Sequence, residues 1–138
     1  MNKLRKFNKI KEWARSFSPN FTLNLIRRFL PKDCESILDV GCGKNSVVQY
    51  LPKGILKVGV DIYKPDLDIS RAKGIHSQYF LDDVNNIDKI FKNNSFDAVI
   101  AIGLLEHLTK SDALSLISKM EQIAKKSVLI ETPSGFVR

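Results

Sequence analysis

Five short β-rich runs punctuate this chain, at Ser36–Val40, Ile55–Asp61, His76–Leu81, Phe96–Ile102 and Ser127–Glu131. Most begin about twenty residues apart, with helical or turn-like segments between them. Strands that alternate with helices predict βαβ units, hence a parallel sheet with right-handed crossovers. VGV before Asp61 and AVIAI after Asp97 are apolar at every position, the pattern of strands covered on both faces. Thr109 and Asp112 predict a capping box that opens a helix through Ala113, Leu114, Leu116, Ile117, Met120 and Ile123. The fold class is therefore α/β.

The N-terminal segment has a different rhythm. Leu4, Phe7, Ile10, Trp13, Ala14 and Phe17 recur every three to four residues, which predicts an amphipathic helix with a Lys/Arg-rich outer face. Ser18 as N-cap and Pro19 at the first helical position predict a second helix, ending at Leu30 before Pro31. Residues 1–32 carry nine Lys/Arg against the single acid Glu12, a net of +8, whereas residues 33–138 carry thirteen against fourteen acids, a net of −1. The expected organisation is thus a pair of basic N-terminal helices, 1–32, followed by a near-neutral core, 33–138. Two readings of the first helix stay open: it packs its apolar face on the core, or residues 1–17 make peripheral contact with an anionic membrane or substrate.

Composition narrows the class further. With 138 residues and 43% apolar content the chain suits one globular domain, which excludes disordered, collagen-like and disulfide-scaffold classes. The longest apolar run, Ala98 to Ile102, is too short to span a bilayer. Lys3, Arg5 and Lys6 precede no apolar stretch of signal-peptide length, so secretion is not expected. Cys34 and Cys42 support neither a disulfide framework nor a zinc site, so no metal is expected and the reducing cytoplasm is the expected compartment.

The most informative stretch is Ile37-Leu38-Asp39-Val40-Gly41-Cys42-Gly43-Lys44-Asn45-Ser46. Gly41 and Gly43 permit a tight turn and let backbone N–H groups approach a ligand at the carboxyl end of the first strand, where open α/β sheets bind ligands. Eighteen residues beyond Gly43 the second strand ends in Asp61, a carboxylate suited to accept both hydroxyls of a ribose. The dinucleotide fingerprint asks for a third glycine or alanine, and Ser46 stands there. Asp39, two residues before the first glycine, would repel a pyrophosphate and attract an ammonium. S-adenosylmethionine carries that ammonium and a sulfonium and no phosphate, so the chemistry favours it over NAD.

With these residues in view, 36–135 resemble the class I (Rossmann-like) S-adenosylmethionine-dependent methyltransferases. LDVGCG is similar to that family's first motif, VGVDIY to its second, FLDDVNNI to its third-strand motif and FDAVIAIGLLEHL to its fourth-strand motif. The resemblance implies a three-layer sandwich around a mostly parallel sheet of about five strands, order 3-2-1-4-5, with the N-terminal helices added. It implies that Asp39 faces the methionine ammonium, directly or through water, and that Gly41, Cys42 and Gly43 line the methionine and ribose. It implies that Asp61 holds the ribose hydroxyls with Ile62 against the adenine. Asp83, in preference to Asp82, accepts from the adenine amine with the Val84 N–H toward the ring. Ile102 and Gly103 close the pocket under the sulfonium. Asn45 replaces the family's usual glycine, and the expectation is that Asn keeps the turn by tolerating a left-handed backbone.

The family sheet usually has seven strands, the last two forming an antiparallel hairpin. Here SVLIE and the turn-like TPSG come last, so the expectation is either a minimal domain or one truncated after the fifth strand. The fifth strand is then an edge, to be covered by the N-terminal helices, a partner or a second copy in a homodimer. Glu106 and His107 are the acid/base pair within reach of the pocket, on the substrate side, with helix capping as the alternative role. No catalytic residue is assigned. Cys42 is read as a small packed residue and His76 as structural. The expected function is methyl transfer from S-adenosylmethionine to an unidentified small-molecule or lipid-like acceptor. A nucleic-acid acceptor is less favoured, and the rival is a non-catalytic S-adenosylmethionine-binding or scaffold subunit completed by a partner.

Overall fold

The structure, a computed structural model, describes residues 19–132. The amphipathic segment 1–17, its proposed membrane or substrate contact, and the turn from Pro133 onward lie outside the described residues.

Helix α1 (Pro19–Phe29) is followed by strand β1 (Ser36–Val40) and a 3₁₀ turn at Val47–Tyr50. Then come β2 (Leu56–Asp61), α2 (Lys64–Lys73), β3 (Gln78–Leu81), a 3₁₀ turn at Val84–Asn86 and the short α3 (Ile87–Ile90). Strand β4 (Phe96–Ile102), a 3₁₀ turn at Leu105–His107, α4 (Lys110–Ile123) and β5 (Ala124–Glu131) complete the order. The five strands form one sheet in the order β3-β2-β1-β4-β5, every pairing parallel. The expected order is the observed one.

Alternation along the strands sorts the core into two layers. Leu38, Val40, Val99 and Ala101 face Leu116, Met120 and Ile123 of α4, together with Val84 and Ile87. Ile37, Ala98 and Ile100 face the other way, onto Leu23 and Ile26 of α1, Val48 of the first 3₁₀ turn and Leu51 just after it. Both faces of β1 and β4 are thus covered, which is why these strands tolerate no polar residue except where one is tied down. Asp97 is the tied case at the amino end: its Oδ2 accepts the Glu35 N–H at 2.8 Å and its own N–H donates to Ser36 Oγ at 3.0 Å. The Glu35 N–H, and then Lys126, hold the Asp97 carboxyl below the usual carboxylate range.

The helix ends follow the local chemistry. Thr109 Oγ1 accepts the Asp112 N–H at 3.1 Å and caps α4 as expected. Gly74, at φ +67°, closes α2 in the left-handed conformation. Three strand starts differ from the sequence expectation, that of β2 by a single residue, at Leu56. Strand β3 begins at Gln78, leaving His76 before it, and β5 begins at Ala124, directly off the end of α4. Lys125 and Lys126 hide that start in the sequence. Lys126 lies on the sheet edge and pairs with Asp33 at 2.8 Å, as charged side chains on edge strands do.

Candidate functional site

The carboxyl ends of β1 and β4 diverge here, because β1 connects toward one side of the sheet and β4 lies on the other. That switch point opens a crevice at the strand ends. The chain leaves β1 through Gly41 (φ +69°) and Gly43 (φ +60°), with the Gly41 and Cys42 N–H groups donating to the Val60 carbonyl at 2.8 and 3.1 Å. The left-handed backbone of Gly41 favours glycine, and a Cβ there would also stand 2.8 Å from Leu104 Cδ1, so that side chain would have to move. Nothing lies within 4 Å of a Cβ placed on Gly43, whose position is open toward the crevice. Asn45 departs from the expectation. Asn94 is the one described non-glycine residue with positive φ, so Asn45 keeps the turn without a left-handed backbone, and its Oδ1 accepts from Gln49 Nε2 at 3.0 Å.

A cleft of about 240 Å³ lies over this turn, lined by Asp39, Gly41, Cys42, Gly43 and Ile102 of the expected residues, and by Lys44, Asn45, Ser46 and Val47. Asp61 is drawn to its rim: Oδ2 accepts the Gly43 N–H at 2.9 Å and Oδ1 accepts the Tyr63 N–H at 2.9 Å. Beside it Ile62, Tyr63 and Leu81 are exposed, Ile62 to 67%, an apolar surface next to a hydrogen-bond acceptor. Asp83 caps the following 3₁₀ turn by accepting the Asn85 N–H at 2.9 Å, while Asp82 accepts from Asp83 N–H and Asn86 Nδ2 at 2.7 and 2.9 Å. Val84 is buried in the core beneath. Burial, and then the nearby Asp39 and Asp61 carboxylates, push the Cys42 thiol far up, so it is a packed thiol and not a nucleophile.

The loop after β4 forms the opposite wall. Gly103 (φ +64°) donates its N–H to the Glu131 carbonyl at 2.9 Å. Glu106 and His107 do not bond: Nε2 and Oε1 are 3.9 Å apart, and the His107 side chain is 74% exposed. Instead Glu106 faces Glu131, at the end of β5. Burial, reinforced by the Glu106 charge, raises the Glu131 carboxyl above its usual range, although the Thr22 hydroxyl donates to Oε1 at 3.0 Å. Glu106 Oε2 and Glu131 Oε2 are buried without a hydrogen-bond partner among the described residues. Sequence reading gave no role to Ser46, although it stands in the glycine-rich stretch, and did not join His76 to Asp39 or Glu131 to Glu106. The last two placements come from strand register and loop course, and no local motif marks them.

An acceptor carboxylate at the end of each of two neighbouring parallel strands, a glycine turn between them and an exposed apolar ledge beside the second fit a nucleoside with a charged tail. The fold and site therefore define an α/β domain for a nucleoside cofactor. Residues 38–130 match the methyltransferase domain family, and the chain belongs to it. A S-adenosylmethionine-dependent methyltransferase from Archaeoglobus fulgidus superimposes with a TM-score of 0.66 at 25% identity, covering 88% of this chain and 55% of that one. Phosphoethanolamine N-methyltransferase 2 of Haemonchus contortus, in complex with phosphomonomethylethanolamine and S-adenosylhomocysteine, superimposes with a TM-score of 0.67 at 26% identity, covering 80% of this chain and 27% of that one. The probable tRNA methyltransferase 9B of Homo sapiens is 29% identical over 101 residues, 71% of this chain and 21% of its own length. The chain thus spans about a fifth of that relative's length and about half of the Archaeoglobus chain.

Proposed function

We propose that this chain is a methyltransferase that binds S-adenosylmethionine across the carboxyl ends of β1, β2 and β3 and serves a small-molecule or lipid-like acceptor. The observation that carries the cofactor's placement is Asp61, fixed by the Gly43 and Tyr63 N–H groups at 2.9 Å each with acceptor capacity left over. On this reading Asp61 takes the ribose hydroxyls and Ile62 lies against the adenine. Asp83 accepts from the adenine amine, with the Val84 N–H toward the ring. Asp39 faces the methionine ammonium, and the backbone of Gly41, Cys42, Gly43, Ile102 and Gly103 lines the methionine. The bound cofactor supplies the activated methyl group on its sulfonium. What the chain must add is orientation of the acceptor and exclusion of water, and Glu106, His107 and Glu131 occupy the acceptor side of the cleft. The cytoplasm is the proposed compartment, in keeping with the free thiols of Cys34 and Cys42. No helix among the described residues is long and apolar enough to cross a membrane.

A nucleic-acid acceptor is the second reading. It is favoured by the name of the tRNA methyltransferase 9B relative and by the net charge of +8 on residues 1–32. Calorimetric titration with S-adenosylmethionine, S-adenosylhomocysteine and NAD, repeated on Asp61→Ala, tests the cofactor site. Binding of the first two, absent for NAD and weakened roughly 100-fold in the variant, is expected, since two hydroxyls donating to one carboxylate are lost. Equal affinity in the variant overturns the placement. Transfer of labelled methyl groups to bulk tRNA, and not to phospholipid vesicles or small amines, overturns the small-molecule reading.

A further inference from the structure

Asp39 is only 2% exposed, yet it borders the cleft. Its two oxygens are treated unequally. Oδ2 accepts the Ser46 hydroxyl at 2.5 Å and His76 Nε2 at 2.8 Å, while Oδ1 takes no bond from any described residue. Behind the imidazole the partners run in one direction. The Tyr79 hydroxyl oxygen accepts the His76 backbone N–H at 3.0 Å and bonds Ser70 Oγ at 2.8 Å. Ser70 Oγ in turn lies 3.4 Å from His76 Nδ1. The Asp39 carboxylate can only accept, so Nε2 is the nitrogen that carries hydrogen toward it; in that neutral tautomer Nδ1 accepts from the Ser70 hydroxyl, and Ser70 Oγ accepts from Tyr79.

The ring's seat is equally specific. It lies beneath Gly59 of β2, where an added Cβ would stand 2.8 Å from Cys42 Sγ and 3.2 Å from the imidazole Cδ2. Tyr79 meets it edge-on, centroids 5.1 Å apart, and Arg71 covers the Tyr79 ring at 5.2 Å. A histidine in the core could be satisfied by any backbone group. This one donates to the buried carboxylate that borders the cofactor cleft.

We propose that His76 is a positioning residue for the cofactor: with Ser46 it pins Oδ2 of Asp39, so that Oδ1 is presented to the ammonium of the ligand's amino-acid portion. The proposal rests on the S-adenosylmethionine reading above and extends it to a residue outside the cleft. The test uses two ligands. S-adenosylhomocysteine carries the ammonium, whereas 5′-methylthioadenosine keeps the nucleoside and lacks the amino-acid portion. In His76→Leu, calorimetry should show S-adenosylhomocysteine weakened about tenfold and 5′-methylthioadenosine changed by less than about twofold. His76→Gln, whose amide places a donor near the former Nε2, should recover most of the loss. In an Asp39→Asn background His76→Leu should cost little more, because the pair acts as one unit. If His76→Leu fails to fold, Ser70→Ala breaks the chain one link back and should give a smaller loss, again confined to S-adenosylhomocysteine. Equal weakening of both ligands, or unchanged affinity for S-adenosylhomocysteine in folded variants, overturns the proposal. Failure of the unaltered chain to bind either ligand overturns the cofactor reading itself, and the proposal with it.

Discussion

At the carboxyl ends of β1, β2 and β3 the acids are held by short, directed hydrogen bonds: Asp39 by Ser46 and His76, Asp61 by Gly43 and Tyr63, Asp83 by Asn85. At the ends of β4 and β5 the holding is weaker: Glu131 is tied through one oxygen, to Thr22, and Glu106 and Glu131 each keep a fully buried oxygen with no partner among the described residues. The difference is one of pre-organisation. On the proposed reading the cofactor is met by groups already fixed, so little ordering remains to be done on binding. The β4–β5 side holds two carboxyl groups, each with a buried oxygen that no described residue satisfies, which is costly to bury. On the proposed reading that half faces the acceptor, whose chemistry varies on a shared fold.

The largest expected effect comes from joining the two sides by force. Gly41→Ala puts a methyl 2.8 Å from Leu104 Cδ1 at φ +69°, so the turn is strained and the facing Leu104 side chain must shift. A loss of about 2–3 kcal/mol in denaturant unfolding, together with loss of S-adenosylmethionine binding, is expected. A stable variant with normal binding would show that the two walls are independent.

Gly59→Ala acts only on the fixed side, through Cys42 and the His76 ring. A cost of about 1–2 kcal/mol is expected in the same measurement, with the remaining binding loss larger for S-adenosylhomocysteine than for 5′-methylthioadenosine. The smallest effect tests the other side. The folded carboxyl of Glu131 is raised, so folding takes up a proton there. Its contribution is full below the unfolded-state pKa and is lost as pH rises through the folded value. Glu131→Gln, neutral throughout, should therefore raise the melting temperature at pH about 8, by less than about 1 kcal/mol of stability, and the gain should vanish near pH about 4. Destabilisation at neutral pH would mean that the charge of Glu131 is already satisfied.

Much of the architecture was legible because it rests on local periodicity. Apolar runs such as Ala98–Ile102 mark strands buried on both faces, and Thr109 marks the start of α4. The glycine turn and Asp61 were legible because tight backbone approach requires particular residue types at short spacing. Asn45 was misread, since the identity of a residue does not reveal which turn position needs a left-handed backbone. The start of β5 was hidden because Lys125 and Lys126, suited to an edge, look like the end of a helix.

The sequence by itself determined the alternation of strands and helices, the glycine turn at the carboxyl end of β1 and the acids that stand near it, since each follows from properties within a few residues. Only the tertiary structure decided what those acids touch. His76 reaches Asp39 across 37 positions of chain, and Thr22 reaches Glu131 across 109. Such contacts arise from parallel register and from helices laid over the sheet, which no local pattern encodes. They set which carboxylate oxygens are occupied and which remain for a ligand.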